Sequence, residues 1–522
     1  MTLQDMLKKE QYDQIWEKYC GFLDLNMEEF MQIQERLLME QIDLLSKSKI
    51  GQVIMGESIP KSVDEFRQLV PLTTYEDYAD LLLSGDESVL PAKPAYWIQT
   101  TWKGGTDEVI KKAPYSESII EEHTKAFIAS LLLTTSKKKG EFSLRVHDKF
   151  LYGMAPLPYL TGLAPYVLKE EIDFKYFPPI EQAESLGFGE RNKLGFKMAL
   201  NQGVDLFFGL SSVLVKIGED FVNKSSGKKT KIRPKNFKMA FKLLKALYKK
   251  KIKKQKLLPK DLFDFKGILC AGTDSIAFKD RIEYLFGKKP LEIFGGTEIT
   301  TVAIETWGRT GMTFFPDVNF LEFIPESESL RSLVDKNFTP RTLLLNEIEA
   351  GKKYELVTTK FRGGVFVRYR VGDMIECVAL EDQKYGIKLP QIRYVDRISS
   401  VIDLAGFTRI TEQTIEKAIE LCELKVTNWV ACKEYEHNEP KLHLYLEGPE
   451  INEEVATTMI HHKLKELDSD YHDIEALLGR NVLKVTLLPK GSFENYQNQN
   501  GDLMIKINPS GDMIRALSGV IQ

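Results

Sequence analysis

Leu291-Glu292-Ile293-Phe294-Gly295-Gly296-Thr297-Glu298 is the stretch on which the reading of this chain turns. A short apolar run stopped by two glycines reads as a buried strand and its exit. Ile268-Leu269-Cys270-Ala271-Gly272, shortly before it, has the same form. Around both, short apolar runs alternate with helical periodicity, so the expected fold class is α/β, with mixed sheets and helices. Glycines at a strand exit let the backbone approach a flat ring closely. Thr297 and Glu298 add a hydroxyl and a carboxylate, groups that meet phosphate and hold Mg²⁺ through oxygen. Taken alone, the same residues serve equally well as a tight turn with a capping Thr-Glu pair.

Toward the N-terminus, the first ~50 residues carry Leu23, Phe30, Ile33, Leu37, Leu38, Ile42 and Leu45 at helical spacings. In Pro71-Leu72-Thr73-Thr74-Tyr75-Glu76-Asp77-Tyr78, Thr74 before the acidic pair is placed as a helix cap. Past roughly residue 397 the pattern shifts to a small α+β unit. It has strands at Val401–Leu404, Trp429–Cys432, Lys441–Leu446 and Val482–Leu488, with helices at Glu412–Leu421 and Glu453–Leu467. The 522 residues exceed one ordinary core. The expected organisation is therefore a large N-terminal domain over 1–396, with a basic helical insert at about 224–260, and a small mobile C-terminal lid domain over 397–522.

Composition narrows the function classes. Net charge is −4 over the whole chain, which gives no broad affinity for nucleic acid. The five cysteines, Cys20, Cys270, Cys377, Cys422 and Cys432, form neither a C-x-x-C pair nor a zinc spacing, so free thiols are expected. The N-terminus lacks a secretory pattern, and apolar runs such as Ala126–Thr134 are too short to span a bilayer, so a cytoplasmic protein is expected. One segment departs from this balance. Lys228–Lys256 holds fourteen Lys or Arg and no acid; removing those fourteen cations from the net −4 leaves −18 on the rest. Phe237, Ala240, Phe241, Leu244, Leu247, Tyr248 and Ile252 fall on one helical face. The simplest expectation is that this stripe packs on its own domain while the lysines face water. Contact with an anionic membrane surface or a phosphate-rich ligand is the functional alternative.

Three further segments carry chemistry. In Lys103-Gly104-Gly105-Thr106-Asp107-Glu108-Val109-Ile110-Lys111-Lys112, Gly105 and Thr106 offer backbone N–H groups and a hydroxyl to phosphate, and Lys111 adds charge. It is not a Walker loop. Val367-Arg368-Tyr369-Arg370-Val371-Gly372-Asp373 reads as a strand ending in a Gly-Asp turn, where Asp373 can accept hydrogen bonds from ribose hydroxyls; a plain surface strand is the simpler alternative. Asp396-Arg397, then Gly406, Thr411 and Glu412, lead to a late Lys506 on a loop, which by itself is a solvated lysine. Pocket walls are expected around Phe150–Pro158 and Phe207–Val215. The histidines form no catalytic set, and His147 is the one to follow, with a structural role expected.

In order and spacing these segments resemble the acyl-adenylate-forming superfamily. More narrowly, the chain is similar to the auxin- and jasmonate-conjugating acyl amidosynthetases of plants and their bacterial relatives, with phenylacetate–CoA ligases as next cousins. The resemblance implies an ATP-dependent ligase that adenylates a small carboxylic acid, releases pyrophosphate and passes the acyl group to an amino acid or to coenzyme A. It implies that Phe294, Gly295, Gly296 and Thr297 line the adenine and phosphate site, that Glu298 binds Mg²⁺ and that Asp373 holds the ribose. It further implies that Arg397 contacts nucleotide at the hinge and that Lys506 neutralises charge on the α-phosphate, as a cation placed against a developing charge lowers a barrier. The chain departs from the family pattern at Asp107 and Glu108, where a hydroxyl and a glycine are usual, and in the proline after the late lysine, displaced here to Pro509. A homologue that keeps nucleotide binding and has lost catalysis, acting as a scaffold, is the contrasting expectation.

Overall fold

The computed structural model describes residues 1–104, 109–226, 234–235, 237–252, 254–272, 275–335, 337–397, 401–405, 408–436, 439–448, 451–500, 505–509 and 511–519. Numbering strands in chain order, β1 (Tyr96–Gly104) and β2 (Val109–Tyr115) form an antiparallel hairpin. Among the described residues, eleven strands then build one sheet. They are β3 (Lys149–Tyr152), β4 (Lys175–Phe177), β5 (Leu206–Leu210), β6 (Gly267–Ala271), β7 (Leu291–Gly296) and β8 (Thr300–Glu305), followed by β9 (Met312–Phe314), β10 (Asn319–Pro325), β11 (Lys353–Lys360), β12 (Tyr369–Ala379) and β13 (Gln391–Arg397).

The spatial order is β10-β11-β12-β13-β9-β8-β7-β6-β5-β3-β4. From β4 to β7 all neighbours are parallel, and from β7 to β10 all are antiparallel. β7 therefore closes one wing and opens the other. Parallel neighbours need long crossovers, and helices supply them here. The helix Glu117–Thr135 is buried along nearly its whole length. That burial explains the apolar run Ala126–Thr134, which belongs to the core. Among the described residues no helix is long and apolar enough to cross a membrane.

The N-terminal periodicity forms the helix Met27–Ser46, capped by Asn26, and it buries Phe30, Leu37, Leu38, Ile42 and Leu45 as its spacing requires. Thr74 opens a short 3₁₀ turn, its backbone N–H donating to Asp77 Oδ2 at 2.7 Å. Beyond residue 400 lie a hairpin, β14 (Val401–Leu404) with β15 (Thr408–Thr411), and a three-stranded sheet, β16 (Asn428–Glu436), β17 (Glu439–Glu447) and β18 (Leu483–Leu488). Helices Glu412–Leu421 and Glu453–Leu467 begin where Thr411 and Asn452 accept from Thr414 N and Glu454 N. Ile402, Ile415, Leu444, Ile460 and Val485 share a core drawn only from residues after 400.

Two expectations fail. The strand holding Val367–Asp373 does not end at Gly372. β12 runs on to Ala379, and Gly372, at φ 76, makes a bulge between the pairs Val357–Arg370 and Glu355–Met374. Nor does its charge face water. Arg368 makes a bidentate pair with the fully buried Glu322 at 3.0 and 2.8 Å and donates to Arg67 O and Val70 O. Arg370 pairs with Glu355 at 2.9 and 2.6 Å. The basic helix, Phe237–Ile252, is turned the other way from expectation. It buries Met239 and Ala246, and its apolar stripe is exposed.

Candidate functional site

The exit of β7 is the point where the sheet changes from parallel to antiparallel, and such switch points open a crevice beyond the strand ends. The first of its two glycines has a mechanical reason. A Cβ on Gly295 would lie 2.1 Å from the Thr300 carbonyl oxygen, so only glycine lets the return strand fold back this tightly. Tyr115 OH donates to Thr297 O at 2.6 Å, Tyr369 OH donates to Glu298 Oε1 at 3.3 Å, and Asn319 Nδ2 donates to Ile299 O at 2.8 Å. The loop is thereby held by β2, β12 and β10.

A cavity of about 480 Å³ lies over this loop. Lys111, Phe294, Gly295, Gly296, Thr297, Glu298, Asp373 and Arg397 all line it. These residues come from four separate parts of the chain. Phe294 is buried and meets Tyr394 edge-on at 5.6 Å. Asp373 and Arg397 sit opposite each other on β12 and β13, and Arg397 Nε donates to Asp373 Oδ1 at 3.0 Å. Burial raises the Asp373 carboxyl above its ordinary range, although Arg397 draws it down. For Arg397 burial opposes the charge, but Asp373, Tyr394, Glu298 and Asp403 outweigh it and hold the guanidinium charged. Burial lowers the Lys111 ammonium, against the fields of Glu298 and Glu76. Its Nζ lies 5.0 Å from the Tyr75 ring centre.

Apolar side chains also line the cavity: Phe127, Met154, Phe208 and Leu210, the last three within the two segments expected to supply pocket residues. His123 faces the same cavity. It is buried, its Nδ1 has no hydrogen-bond partner among the described residues, and burial pushes the imidazole down to about 3. His147, the histidine singled out from sequence, is exposed and pairs with Asp173 at 3.0 Å. Sequence reading missed His123, Tyr115, Tyr369, Arg409 and Asp470. Nothing local distinguishes a buried histidine inside a core helix from one beside a cavity.

One expected residue, Lys506, does not line the cavity, and others lie outside the described residues. Gly105 and Thr106, with Asp107 and Glu108, lie outside the described residues, between β1 and β2; Thr100 on β1 does line the cavity. Gly406 also lies outside them. Lys506 stands elsewhere, its Nζ 3.2 Å from Glu412 and 3.5 Å from Glu416, over the Trp429 ring at 5.1 Å. Its loop is pinned to β16, with Ala431 N donating to Lys506 O at 2.7 Å. What the region after 400 does bring to the cavity is Asp403, Arg409 and Asp470, with Arg409 Nε donating to Asp403 Oδ2 at 3.1 Å.

The chain has the fold of the adenylate-forming enzymes. It superposes on the acyl acid amido synthetase AtGH3.15, solved in complex with 2,4-DB, with TM-score 0.53 and 15% identity, covering 96% of this chain and 95% of that one. It superposes on 2-hydroxyisobutyryl-CoA ligase, solved with 2-HIB-AMP and CoA, with TM-score 0.52 and 16% identity, covering 94% and 92%. Residues 20–152 match the GH3 family N-terminal domain and residues 312–397 the GH3 family central domain. Two stretches of the chain are thus similar to GH3 family domains, and its fold is that of a GH3 acyl acid amido synthetase. A relative from Arabidopsis thaliana, indole-3-acetic acid-amido synthetase GH3.2, is 27% identical over 109 residues, which is 21% of this chain and 18% of that protein. The aligned stretch thus spans under a fifth of that curated relative's length.

Proposed function

We propose that the protein is an ATP-dependent ligase that activates a small carboxylic acid as its acyl-adenylate. One observation carries this reading. The glycine exit loop, Lys111 and the Asp373–Arg397 pair converge on one cavity that apolar side chains also line. The polar lining residues suit a nucleotide, and the apolar ones, Phe127, Met154 and Phe208, with His123, suit an acyl group. The acid's carboxylate oxygen attacks the α-phosphorus, the bond to the β-phosphate bridge breaks, and acyl-AMP and pyrophosphate form. The acyl carbon then takes an amine or a thiol, and AMP leaves.

In this reading Phe294–Thr297 flank the adenine and phosphates, Asp373 accepts from the ribose hydroxyls and Arg397 stays close to the nucleotide while orienting Asp373. Lys111 offsets phosphate charge. Among the described residues no group of three or more His, Cys, Asp or Glu could cage a metal. Mg²⁺ bound by one carboxylate, with phosphate oxygens and water completing its shell, is the mode that Glu298 fits. When bound, the ion would draw negative charge from the phosphates. Lys506 would act on the α-phosphate only after residues 397–522 turn as a lid about the Asp396–Arg397 junction and release it from Glu412 and Glu416. The division into domains 1–396 and 397–522 belongs to the same proposal.

For the acceptor, an amino acid is the first choice, since both family matches are to GH3 domains. Coenzyme A is the alternative, and the likeness to a CoA ligase supports it. A second reading, a nucleotide-binding scaffold without catalysis, draws on Lys506 standing outside the cavity. ATP–pyrophosphate exchange over a panel of aromatic and aliphatic acids, with Mg²⁺ and no acceptor, separates them. Acid-dependent exchange supports the ligase. ATP binding with no exchange for any acid would favour the scaffold.

A further inference from the structure

The helix Phe237–Ile252 presents an apolar face to solvent. Phe237 is 88% exposed, Phe241 61%, Leu244 67%, Tyr248 58% and Ile252 64%. Their spacing of three and four residues puts them on one stripe. Phe237 and Phe241 are the only exposed phenylalanines among the described residues. The helix is nevertheless anchored. Met239 and Ala246 are buried in the core that also holds Val204 and Leu262, and Leu243 packs against it. Lys249 reaches Asp261 at 2.7 Å and Lys242 reaches Asp264 at 3.7 Å. These contacts decide which side faces in, so the stripe is presented outward by the fold.

We propose that this helix is a docking element for an anionic lipid bilayer surface. The stripe would sink to the level of the headgroups, and the lysines beside it would meet lipid phosphates. Lys238 and Lys245 lie along its edge and Lys251 within it, all three exposed. The helix carries six lysines and no acid, inside a segment with fourteen cations and no acid. A continuous apolar stripe, a lysine-rich margin and bulky Phe, Leu, Tyr and Ile on the apolar side are the properties of helices that lie in the interface plane. Charge argues against a second copy as the occupant. A symmetric contact would bring the same stripe, and the same lysines, face to face. It argues also against nucleic acid, because the outermost side chains are apolar and cover no phosphate.

The test is co-sedimentation of the full chain with vesicles of phosphatidylcholine alone, or containing about 30% phosphatidylglycerol, at low and high salt. Partition onto the anionic vesicles is expected to exceed that onto neutral ones by at least about tenfold and to fall with salt. Phe241→Ser with Leu244→Ser should abolish it, and Lys238→Gln with Lys245→Gln and Lys251→Gln should weaken it. Circular dichroism and ATP binding should stay unchanged in both sets, since none of these side chains enters the core or the cavity. Equal partition onto both vesicle types, or none, overturns the proposal. So does a wild-type dimer in light scattering that the serine variant makes monomeric without any vesicle binding. Tight binding to a mixed-sequence oligonucleotide with no vesicle binding overturns it as well.

Discussion

At the scale of single residues, the cavity is controlled by two buried groups with opposite needs. Asp373 is 6% exposed; burial raises its carboxyl, and Arg397 draws it back down. Asp373→Ala is expected to weaken ATP binding by at least about tenfold, the cost of leaving the half-buried Arg397 guanidinium without this carboxylate and a ribose contact unmade. Isothermal titration would show it, and unchanged affinity would mean that the ribose lies elsewhere. His123 must stay neutral to remain buried. Its folded value, about 3, lies below the unfolded 6.5, so below 6.5 the unfolded chain binds a proton that the folded chain refuses. This part of the stability is complete above the unfolded value and is lost as pH falls from 6.5 toward 3. Between pH 7 and 5 the loss should be about 2 kcal/mol. His123→Phe should remove that slope from urea midpoints measured at the two pH values. A slope that persists would place the charge change on another group.

At the scale of elements, β12 binds the sheet to the N-terminal helices, and its bulge delivers Asp373 to the cavity. Arg368, just before it, joins Glu322 on β10 to the backbone at Arg67 and Val70. Arg368→Met removes the bidentate partner of buried Glu322 and leaves it the more distant Arg67 Nε, 3.8 Å away, and Thr342 Oγ1, which still donates to it. The expected loss is about 3–5 kcal/mol in chemical denaturation, and a loss within about 1 kcal/mol would show that Glu322 is satisfied by its remaining partners. The helix Glu412–Leu421 holds Lys506 through the i and i+4 carboxylates of Glu412 and Glu416. Lys506→Ala is expected to lower adenylation at least about a hundredfold with ATP binding kept. Glu412→Gln with Glu416→Gln, which frees the lysine, should leave adenylation intact or faster. Equal damage from both variants would give the cluster a purely structural role.

At the scale of the whole molecule, the proposed lid rests on the core drawn only from residues after 400 and on Lys506 standing away from the cavity. All five cysteines are buried, so cysteines placed at exposed Lys138 and His462 can be labelled selectively. In a Lys138→Cys/His462→Cys double variant, energy transfer between the dyes is expected to change when ATP and an active acid are added, and to shift again with the acceptor. One unchanging distance under all conditions would rule out a lid that carries Lys506 in and out. The basic helix belongs to this scale too, because its outward face has no role in any core.

Local pattern determined much of this protein. The periodic helices, the strand exits at Ala271 and Gly296, and the C-terminal elements were legible because side-chain spacing acts within a few residues. The polarity of β12 was not, because burying Arg368 and Arg370 depends on Glu322 and Glu355 arriving from other strands. The orientation of Phe237–Ile252 was not, because a helix with apolar residues on two sides is turned by its neighbours, here Asp261 and Asp264. The place of His123 beside the cavity and of Lys506 away from it also rests on tertiary structure alone. In sequence, charge and hydropathy say only what a side chain needs; the partners that meet the need lie tens or hundreds of residues away.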